Sequence, residues 1–322
     1  MRRIFISGGA GFIGSNLARH ILDNKLGAVT VYDNYSVGKR EHLLDRINDP
    51  HLRLIEGDVA NKAALTQALT GHDLVFHLAA NSDIARAAEE PHVDFANGTA
   101  LTESILEAMR ATGVKRIVFT SGSGVYGDVP PVKLIEDFSP MVPVSTYGAS
   151  KLASESLIAA YSHMFEFTGI VVRFANVVGP NMTHGVSHDF IMRLAKDPSR
   201  LLIYGDGQQT KPYIHVSDVI SAMLLAEAKA QSGYSYYNVA SLDQLTVTEI
   251  AKIVAVAMDL PNVQFDYTGG KRGWRADVPI YHLDSSKIRA LGWNNRHNSA
   301  EAVHAAIATR LNEIGYRKSS AA

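Results

Sequence analysis

The sequence predicts a doubly wound α/β fold, in which helices cover both faces of a parallel sheet. Short runs of continuous apolar residues alternate along the first half of the chain with longer amphipathic stretches. This alternation is typical of buried parallel strands joined by crossover helices. The chain has 322 residues, 46% of them hydrophobic, so it is long enough to form two lobes around sizeable cores.

The predicted elements follow from the apolar patterns in order. The first half holds six apolar runs of strand length, and the stretches between them have helical spacing. Proline and glycine interrupt the second half as loops before helices return. We predict strands at residues 4–6, 29–32, 52–55, 74–78, 117–119 and 170–172, and helices at 12–22, around 105–109, and at 145–165, 217–228, 247–258 and 300–314.

Composition excludes several classes of protein. The 31 basic residues balance 32 acidic ones, so a net charge of −1 argues against a nucleic-acid or anionic-membrane surface. Cysteine is absent, which excludes disulfides, thiol nucleophiles and cysteine-ligated zinc. No histidine pair stands with acids at metal-ligand spacing, so we expect no metal site. No apolar run approaches the ~20 residues of a membrane span, and no signal-peptide pattern is present, so we expect a cytoplasmic protein.

A glycine-rich segment separates the first predicted strand from the first predicted helix. Residues 8–14 read Gly-Gly-Ala-Gly-Phe-Ile-Gly. Glycine allows the tight turn and the close approach of a pyrophosphate, which the helix N-terminus then receives. A purely structural turn is the alternative. The spacing predicts a Rossmann-type dinucleotide site that includes Gly8, Gly11, Phe12, Ile13 and Gly14.

An acidic residue, Asp33, ends the second predicted strand. It follows the glycines by about twenty residues, where a carboxylate binds the adenosine ribose and favours NAD over NADP. The alternative is a solvated turn aspartate. Asn34 and the pair Asp58-Val59, which follows the third strand, are placed to flank the adenosine.

Tyr147 and Lys151 stand four residues apart on the long helix predicted at 145–165. This spacing puts the phenol and the ammonium on one helix face. Because a nearby cation favours the phenolate, we expect a lowered pKa for Tyr147 and a role as general base. A surface i,i+4 pair is the alternative, but the dinucleotide motif upstream favours the catalytic interpretation.

These motifs resemble the extended short-chain dehydrogenase/reductase family, in its NAD-dependent nucleotide-sugar epimerase/dehydratase branch and most of all the UDP-glucose 4-epimerases. The resemblance covers nearly the whole chain. It rests on the order and spacing of many segments. Besides those above, they are Leu78-Ala79-Ala80, Asn97, Val125-Tyr126-Gly127, residues 173–180 (Arg-Phe-Ala-Asn-Val-Val-Gly-Pro) and Tyr204-Gly205-Asp206-Gly207.

The resemblance implies roles for particular residues. Tyr147 would be the catalytic base, and Lys151 would hold both the tyrosine and the nicotinamide ribose. Asn176 would meet the phosphates of the nucleotide sugar. NAD would also contact Leu78, Ala79, Ala80 and Asn97.

The resemblance also implies how the chain is organised. Residues 1–175 would form the NAD-binding domain, to which later segments return. Residues 176–316 would mainly bind substrate, and 317–322 would be a frayed tail. A homodimer would form through a four-helix bundle that includes the helix at 145–165.

One departure from the family concerns its catalytic serine or threonine. Counted back from Val125, that hydroxyl position is occupied by Gly122. Ser123 is our first candidate to replace it and Ser121 the second, with a purely structural role at the strand end as the alternative. Gly124 stands where dehydratases and decarboxylases tend to have a glutamate, which argues against those two reactions.

A second departure is Lys211-Pro212, where the family usually has Arg-Asp. Lysine keeps the positive charge but loses the bidentate fork of arginine, and proline removes a backbone donor. Arg272 or Arg275 could contact the phosphate instead, with Asp277 on the ribose. A solvated charged loop is the alternative for each arginine.

These expectations describe an NAD-dependent UDP-hexose 4-epimerase. It would oxidise C4 of the sugar to a keto group and reduce that group again from the opposite face. The alternatives are a C4 dehydrogenase or reductase, a 4,6-dehydratase of the same branch, and a non-catalytic NAD-binding sensor.

Overall fold

The computed structural model describes residues 1–81, 87, 89–129, 132–274 and 277–316. Its strands are β1 (Arg3–Ser7), β2 (Ala28–Asp33), β3 (Leu52–Glu56), β4 (Leu74–His77), β5 (Arg116–Gly122), β6 (Lys133–Leu134), β7 (Thr168–Phe174), β8 (Asn176–Val178), β9 (Arg200–Ile203), β10 (Thr210–Lys211), β11 (Tyr213–His215), β12 (Gly233–Val239), β13 (Leu245–Thr246), β14 (Gln264–Tyr267) and β15 (His282–Leu283).

The α-helices alternate with these strands through the first half of the chain. They are α1 (Phe12–Asp23), α2 (Lys62–Leu69), α3 (His92–Asp94), α4 (Ala100–Thr112), α5 (Thr146–Phe165), α6 (Val186–Lys196), α7 (Val216–Lys229), α8 (Val247–Ala257), α9 (Ser286–Ala290) and α10 (Ser299–Glu313). A wide π-helical turn, Phe95–Thr99, joins α3 to α4, and 3₁₀ turns occur at Arg40–Arg46 and Ser123–Val125.

The main sheet has seven strands in the order β12-β7-β5-β4-β1-β2-β3. All six neighbouring pairs are parallel, which confirms the predicted fold class. Alternate residues of each strand fill two separate cores, one packed against α1 and α7 and the other against α2, α4 and α5. Helices therefore cover both faces, as the continuous apolar runs predicted.

The seventh strand, β12, was not among the predicted elements. Its first four residues are only partly buried, because it lies at the edge of the sheet, so it has no continuous apolar run. It pairs with β7 along seven residues, from Gly233 to Val239. The sheet therefore extends beyond residues 1–175 and includes a late segment of the chain.

The second lobe is built from short two-stranded ladders and a third core. The ladders are β8 with β11, β9 with β14, β10 with β13, and β6 with β15. A separate apolar cluster packs α6, α8 and α10 together. Pro212 lies between the ladders of β10 and β11, so its missing N–H removes no ladder hydrogen bond.

Candidate active site

The glycine turn connects the end of β1 to the start of α1. Gly8 has φ +70°, and a Cβ there would lie 2.7 Å from the backbone nitrogen of Ala79. A Cβ on Gly14 would lie 2.3 Å from the oxygen of Gly8, so helix and turn can pack only with glycine at both positions. A Cβ on Gly11 would meet a single protein atom, Gly8 O at 3.3 Å. Gly11 therefore leaves open backbone at the helix N-terminus, and the turn fits a dinucleotide pyrophosphate.

The four residues predicted at the adenosine lie around the ends of β2 and β3. Asp33 is 7% exposed, and its carboxylate accepts hydrogen bonds from the backbone N–H groups of Ala10 and Tyr35, both at 2.9 Å. Asn34 donates its amide to the carboxylate of Asp58 at 3.1 Å. Val59 is buried in the core next to this group. These contacts hold the Asp33 carboxylate beside the glycine turn, where a ribose would lie.

The loop after β4 passes next to the glycine turn. Leu78 donates its backbone N–H to Ser7 at 3.0 Å, which brings Ala79 against Gly8. Asn97 lies in the π-helical turn with an exposed side chain, and its backbone oxygen accepts the N–H of Asn81 at 3.0 Å. Leu78, Ala79, Ala80 and Asn97 therefore lie close to the turn.

Tyr147 and Lys151 lie in the first turns of α5, which begins with Ser145 accepting the N–H of Gly148 at 3.1 Å. The Lys151 ammonium donates to the backbone oxygen of Thr120 at 2.8 Å and lies 5.6 Å from the centre of the Tyr147 ring. Lys151 is 6% exposed, and burial lowers the pKa of its ammonium to about 8. The helix thus presents both groups to the end of β5, as the spacing predicted.

The expected lowering of the Tyr147 pKa is wrong for the protein chain by itself. Burial raises the pKa of Tyr147 to about 12, and the negative charge of Asp94 adds to this effect. The ammonium of Lys151 bonds to Thr120, so it does not offset the loss of hydration. A further positive charge or a hydrogen-bond donor next to the phenol would lower this pKa.

The two candidate hydroxyls differ in their surroundings. Ser121 lies two residues after Phe119, so strand alternation puts both on the sheet face covered by α5, and Lys151 lies 4.8 Å from the Phe119 ring centre. Ser121 is 4% exposed, and its hydroxyl has no hydrogen-bond partner among the described residues. Ser123 is partly exposed and opens the following 3₁₀ turn near the Tyr281 hydroxyl, which also has no hydrogen-bond partner among the described residues.

Gly122 is not required by the local backbone. Its φ of −154° and ψ of 171° are extended and open to any residue. A Cβ there would meet only the backbone oxygen of Phe174, at 3.9 Å. An added side chain at Gly122 would therefore have room among the described residues, on the sheet face opposite to that of Ser121.

Tyr281 and Tyr213 lie beside the predicted site residues Asn176, Asp277 and Ser123, and no sequence motif marked either tyrosine as a functional candidate. Burial raises the pKa of Tyr281 to about 12, with a smaller opposing effect from the hydroxyl of Ser123. Burial also raises the pKa of Tyr213, whose partner across the β11–β8 ladder is Asn176. The negative charge of Asp277 adds to the rise in the pKa of both tyrosines. Asn176, Asp277 and Ser123 therefore lie in one neighbourhood, although no local pattern marks Tyr281.

Lys211 and Asp277 bind each other. The Lys211 ammonium donates to the Asp277 carboxylate at 2.5 Å, and Asp277 is 3% exposed. The second carboxylate oxygen accepts the backbone N–H of Gly273 at 3.0 Å. Asp277, which the resemblance placed on the ribose, is thus joined in one ion pair to Lys211, which replaces the usual arginine of the family.

Of the two arginines in the predicted charged loop, the structure describes only Arg272. Arg272 forms an ion pair with Asp128, which follows the Val125-Tyr126-Gly127 segment. Arg275 lies outside the described residues. Within the described ranges there is no group of three histidine or acidic residues that could hold a metal, and no helix long and apolar enough to cross a membrane.

Comparison with known proteins agrees with this geometry. The model of the NAD dependent epimerase/dehydratase family matches residues 4–240. The UDP-glucose 4-epimerase of Mycolicibacterium smegmatis is 30% identical over 309 residues, covering 94% of this chain and 96% of that protein. The chain therefore belongs to the NAD-dependent epimerase/dehydratase family, and its cofactor is NAD.

Solved structures have the same fold. A UDP-galactose 4-epimerase superimposes with a TM-score of 0.86 at 35% identity, covering 97% of this chain and 99% of that one. DesIV from Streptomyces venezuelae, a dTDP-glucose 4,6-dehydratase with NAD and TYD bound, has a TM-score of 0.88 at 27% identity, covering 97% of each chain. Both an epimerase and a dehydratase are thus similar along nearly the whole chain.

Proposed function

We propose that this protein is an NAD-dependent 4-epimerase of UDP-hexoses. The observation that carries the proposal is the pairing of Tyr147 with Lys151 at the carboxyl end of β5. Strand alternation places Ser121, whose hydroxyl has no hydrogen-bond partner among the described residues, on the same face. Ligands of doubly wound sheets bind along this edge. The relatives named UDP-glucose 4-epimerase support both the reaction and the nucleotide.

In the proposed reaction, Tyr147 removes the proton of the C4 hydroxyl and later returns it. When bound, NAD supplies the hydride acceptor for C4, and its oxidised ring adds the positive charge that favours the phenolate. Lys151 holds the nicotinamide ribose and lies beside Tyr147, with its ammonium anchored on Thr120. Gly8, Gly11 and Gly14 hold the pyrophosphate, and Asp33 binds the adenosine ribose.

Ser121 is the better candidate for the hydroxyl that bonds the C4 oxygen, although sequence reasoning preferred Ser123. Buried hydroxyls are ordinarily hydrogen-bonded, so an unpartnered Ser121 on the Tyr147 side of the sheet is poised for a ligand. Ser123 faces Tyr281. A preorganised donor at the C4 oxygen stabilises the change in its bond order during oxidation and reduction.

The residues proposed to bind the nucleotide sugar lie in the second lobe. Lys211 and Asp277 supply a charged pair for the diphosphate and the uridine ribose, and Asn176 supplies an amide next to them. Arg272 could add a second cation at the rim of the cleft. Because Gly124 provides no carboxyl group beside Tyr147, a 4,6-dehydratase is the weaker alternative.

The proposal is tested by incubating the protein with NAD and UDP-glucose and recording the anomeric proton spectrum over time. We expect signals of UDP-galactose to appear, with no net formation of NADH. The Tyr147→Phe variant serves as the control. Accumulation of a keto sugar with equivalent NADH would instead identify a C4 dehydrogenase, and a new methyl signal would identify a 4,6-dehydratase.

We also propose a homodimer that packs α4 and α5 of two chains into a four-helix bundle. Large apolar side chains are exposed at the ends of this helix pair: Phe95 is 64% exposed and Met164 is 70% exposed. Burying such side chains would favour association. Light scattering coupled to size-exclusion chromatography tests this, and a monomer mass would refute it.

A further inference from the structure

Asp94 occupies the point where three segments of the site meet. It is 2% exposed. Its carboxylate accepts hydrogen bonds from the Asn81 amide at 2.8 Å and from the Thr146 hydroxyl at 2.7 Å. Its backbone oxygen accepts the Ser150 hydroxyl at 2.7 Å. One residue is thus bonded to the loop after β4 and to two successive turns of α5.

The two α5 residues that Asp94 holds are direct neighbours of the proposed catalytic pair. Thr146 precedes Tyr147, and Ser150 precedes Lys151. A shift of Asp94 would therefore move both side chains relative to the NAD-binding loop. No motif used to identify the site contains Asp94.

The π-helical turn that follows Asp94 is shaped around Ser150. The Thr99 backbone N–H donates to the Ser150 hydroxyl at 3.0 Å. A Cβ on Gly98 would lie 2.2 Å from the same hydroxyl oxygen, so only glycine leaves room for it. A wide turn inside a helix is a recurrent feature of functional sites. Here it lets α5 approach closely enough for Ser150 to reach Asp94.

We propose that Asp94 is a positioning residue that holds Tyr147 and Lys151 in register against the loop after β4, an inference that rests on the function proposed above. Asp94 touches neither reacting atom. It acts through Thr146, Ser150 and Asn81.

The negative charge of Asp94 also affects the pKa values of Tyr147 and Lys151. Its carboxylate adds to the rise in the pKa of Tyr147 and opposes the fall in the pKa of Lys151. Among the described residues, the other groups facing the pair are Glu155, one turn further along α5, and His77 of β4. Burial lowers the pKa of His77 to about 3, so this histidine is neutral near pH 7. Within the part of the chain that the structure describes, Asp94 is therefore the negative charge that a neighbouring element brings to Tyr147.

The test compares Asp94→Asn, which removes the charge, with Thr146→Val, which removes one hydrogen bond and keeps the charge. The phenolate absorbance of each protein is titrated without sugar nucleotide, and the absorbance of the same protein carrying Tyr147→Phe is subtracted from it. We expect Asp94→Asn to shift the Tyr147 titration to lower pH and Thr146→Val to leave it nearly unchanged. With NAD and UDP-hexose, both variants should lose ~10-fold or more in kcat with KM within about twofold, because displacing a catalytic group lowers the rate more than binding.

Asp218→Asn is the matched control. Asp218 is 1% exposed and accepts hydrogen bonds from the backbone of Arg296 and His297, away from Tyr147. If Asp94→Asn only lowers the melting temperature, as Asp218→Asn should, and leaves the Tyr147 titration unchanged, Asp94 is merely structural and the inference fails. Because the titration does not require catalysis, its result tests the inference even if the protein catalyses a reaction other than 4-epimerisation.

Discussion

The cofactor half and the substrate half of the site are built in different ways. The part of the cofactor half that would hold the pyrophosphate is a single turn of consecutive residues, in which a Cβ added to Gly8 or Gly14 would lie less than 3 Å from neighbouring backbone. The substrate half joins side chains that are far apart in the chain, such as Lys211 and Asp277, which are separated by 66 positions. The glycine turn therefore requires that these positions carry no side chain, whereas the substrate half requires particular polar side chains.

This difference predicts that the two halves of the site respond to opposite kinds of substitution. Adding a methyl group should damage the cofactor half, because backbone and ligand already fill the space. Removing a polar side chain should damage the substrate half, because its partner would be left buried and unpaired. Tyr147 belongs to neither half, because it lies in the first turn of α5, which packs against the main sheet.

The largest effect is expected for Tyr147→Phe. Loss of the proposed base should lower kcat by ~1,000-fold or more, since a positioned general base contributes up to about four orders of magnitude. NAD affinity, measured by calorimetry, should stay within about threefold of wild type because the glycine turn is untouched. Turnover close to that of the wild type would refute the role of Tyr147.

Ser121→Ala should have the next largest effect. Removing the donor to the C4 oxygen should lower kcat by ~100-fold. Ser123→Ala is the matched comparison and should lower it by less than about tenfold, because Ser123 faces Tyr281. If steady-state kinetics showed a larger fall in kcat for Ser123→Ala than for Ser121→Ala, Ser123 and not Ser121 would be the donor to the C4 oxygen.

Gly11→Ala tests the cofactor half. An added Cβ meets only Gly8 O, at 3.3 Å, so the variant should fold with a melting temperature near that of the wild type. The methyl group would lie where the pyrophosphate approaches, so NAD affinity should fall by ~30-fold. Gly122→Ala, whose Cβ is 3.9 Å from its nearest contact, should leave NAD affinity unchanged. Equal NAD affinity of the Gly11→Ala and Gly122→Ala variants would contradict the proposed binding of the pyrophosphate at the glycine turn.

Lys211→Met tests the substrate half and should have the smallest effect. Loss of one charge-assisted contact should raise KM by ~10-fold with kcat nearly constant. Lys211→Arg keeps the charge and should stay closer to the wild-type KM. A fall in kcat without a change in KM would mean that the ion pair with Asp277 serves the chemistry and not substrate binding.

Much of the fold and part of the site were predictable from local patterns. The six predicted sheet strands are confirmed, and the fold class with them. β12 was missed because its exposed edge position removes the continuous apolar run. The close approach of Tyr147 and Lys151 followed from helical spacing, whereas the raised pKa of Tyr147 did not, because it depends on burial and on Asp94.

The sequence alone determined those features whose geometry is set within a few residues: the glycine turn, Asp33 at a strand end, and two side chains one helical turn apart. Their spacing constrains the backbone directly. Tertiary structure decided the rest. It joined Lys211 to Asp277, brought Tyr281 near Ser123, and bonded Asp94 to Thr146 across 52 positions of the chain. It also left the Ser121 hydroxyl with no hydrogen-bond partner among the residues that the structure describes. Such contacts depend on how whole elements pack, and no local spacing encodes them.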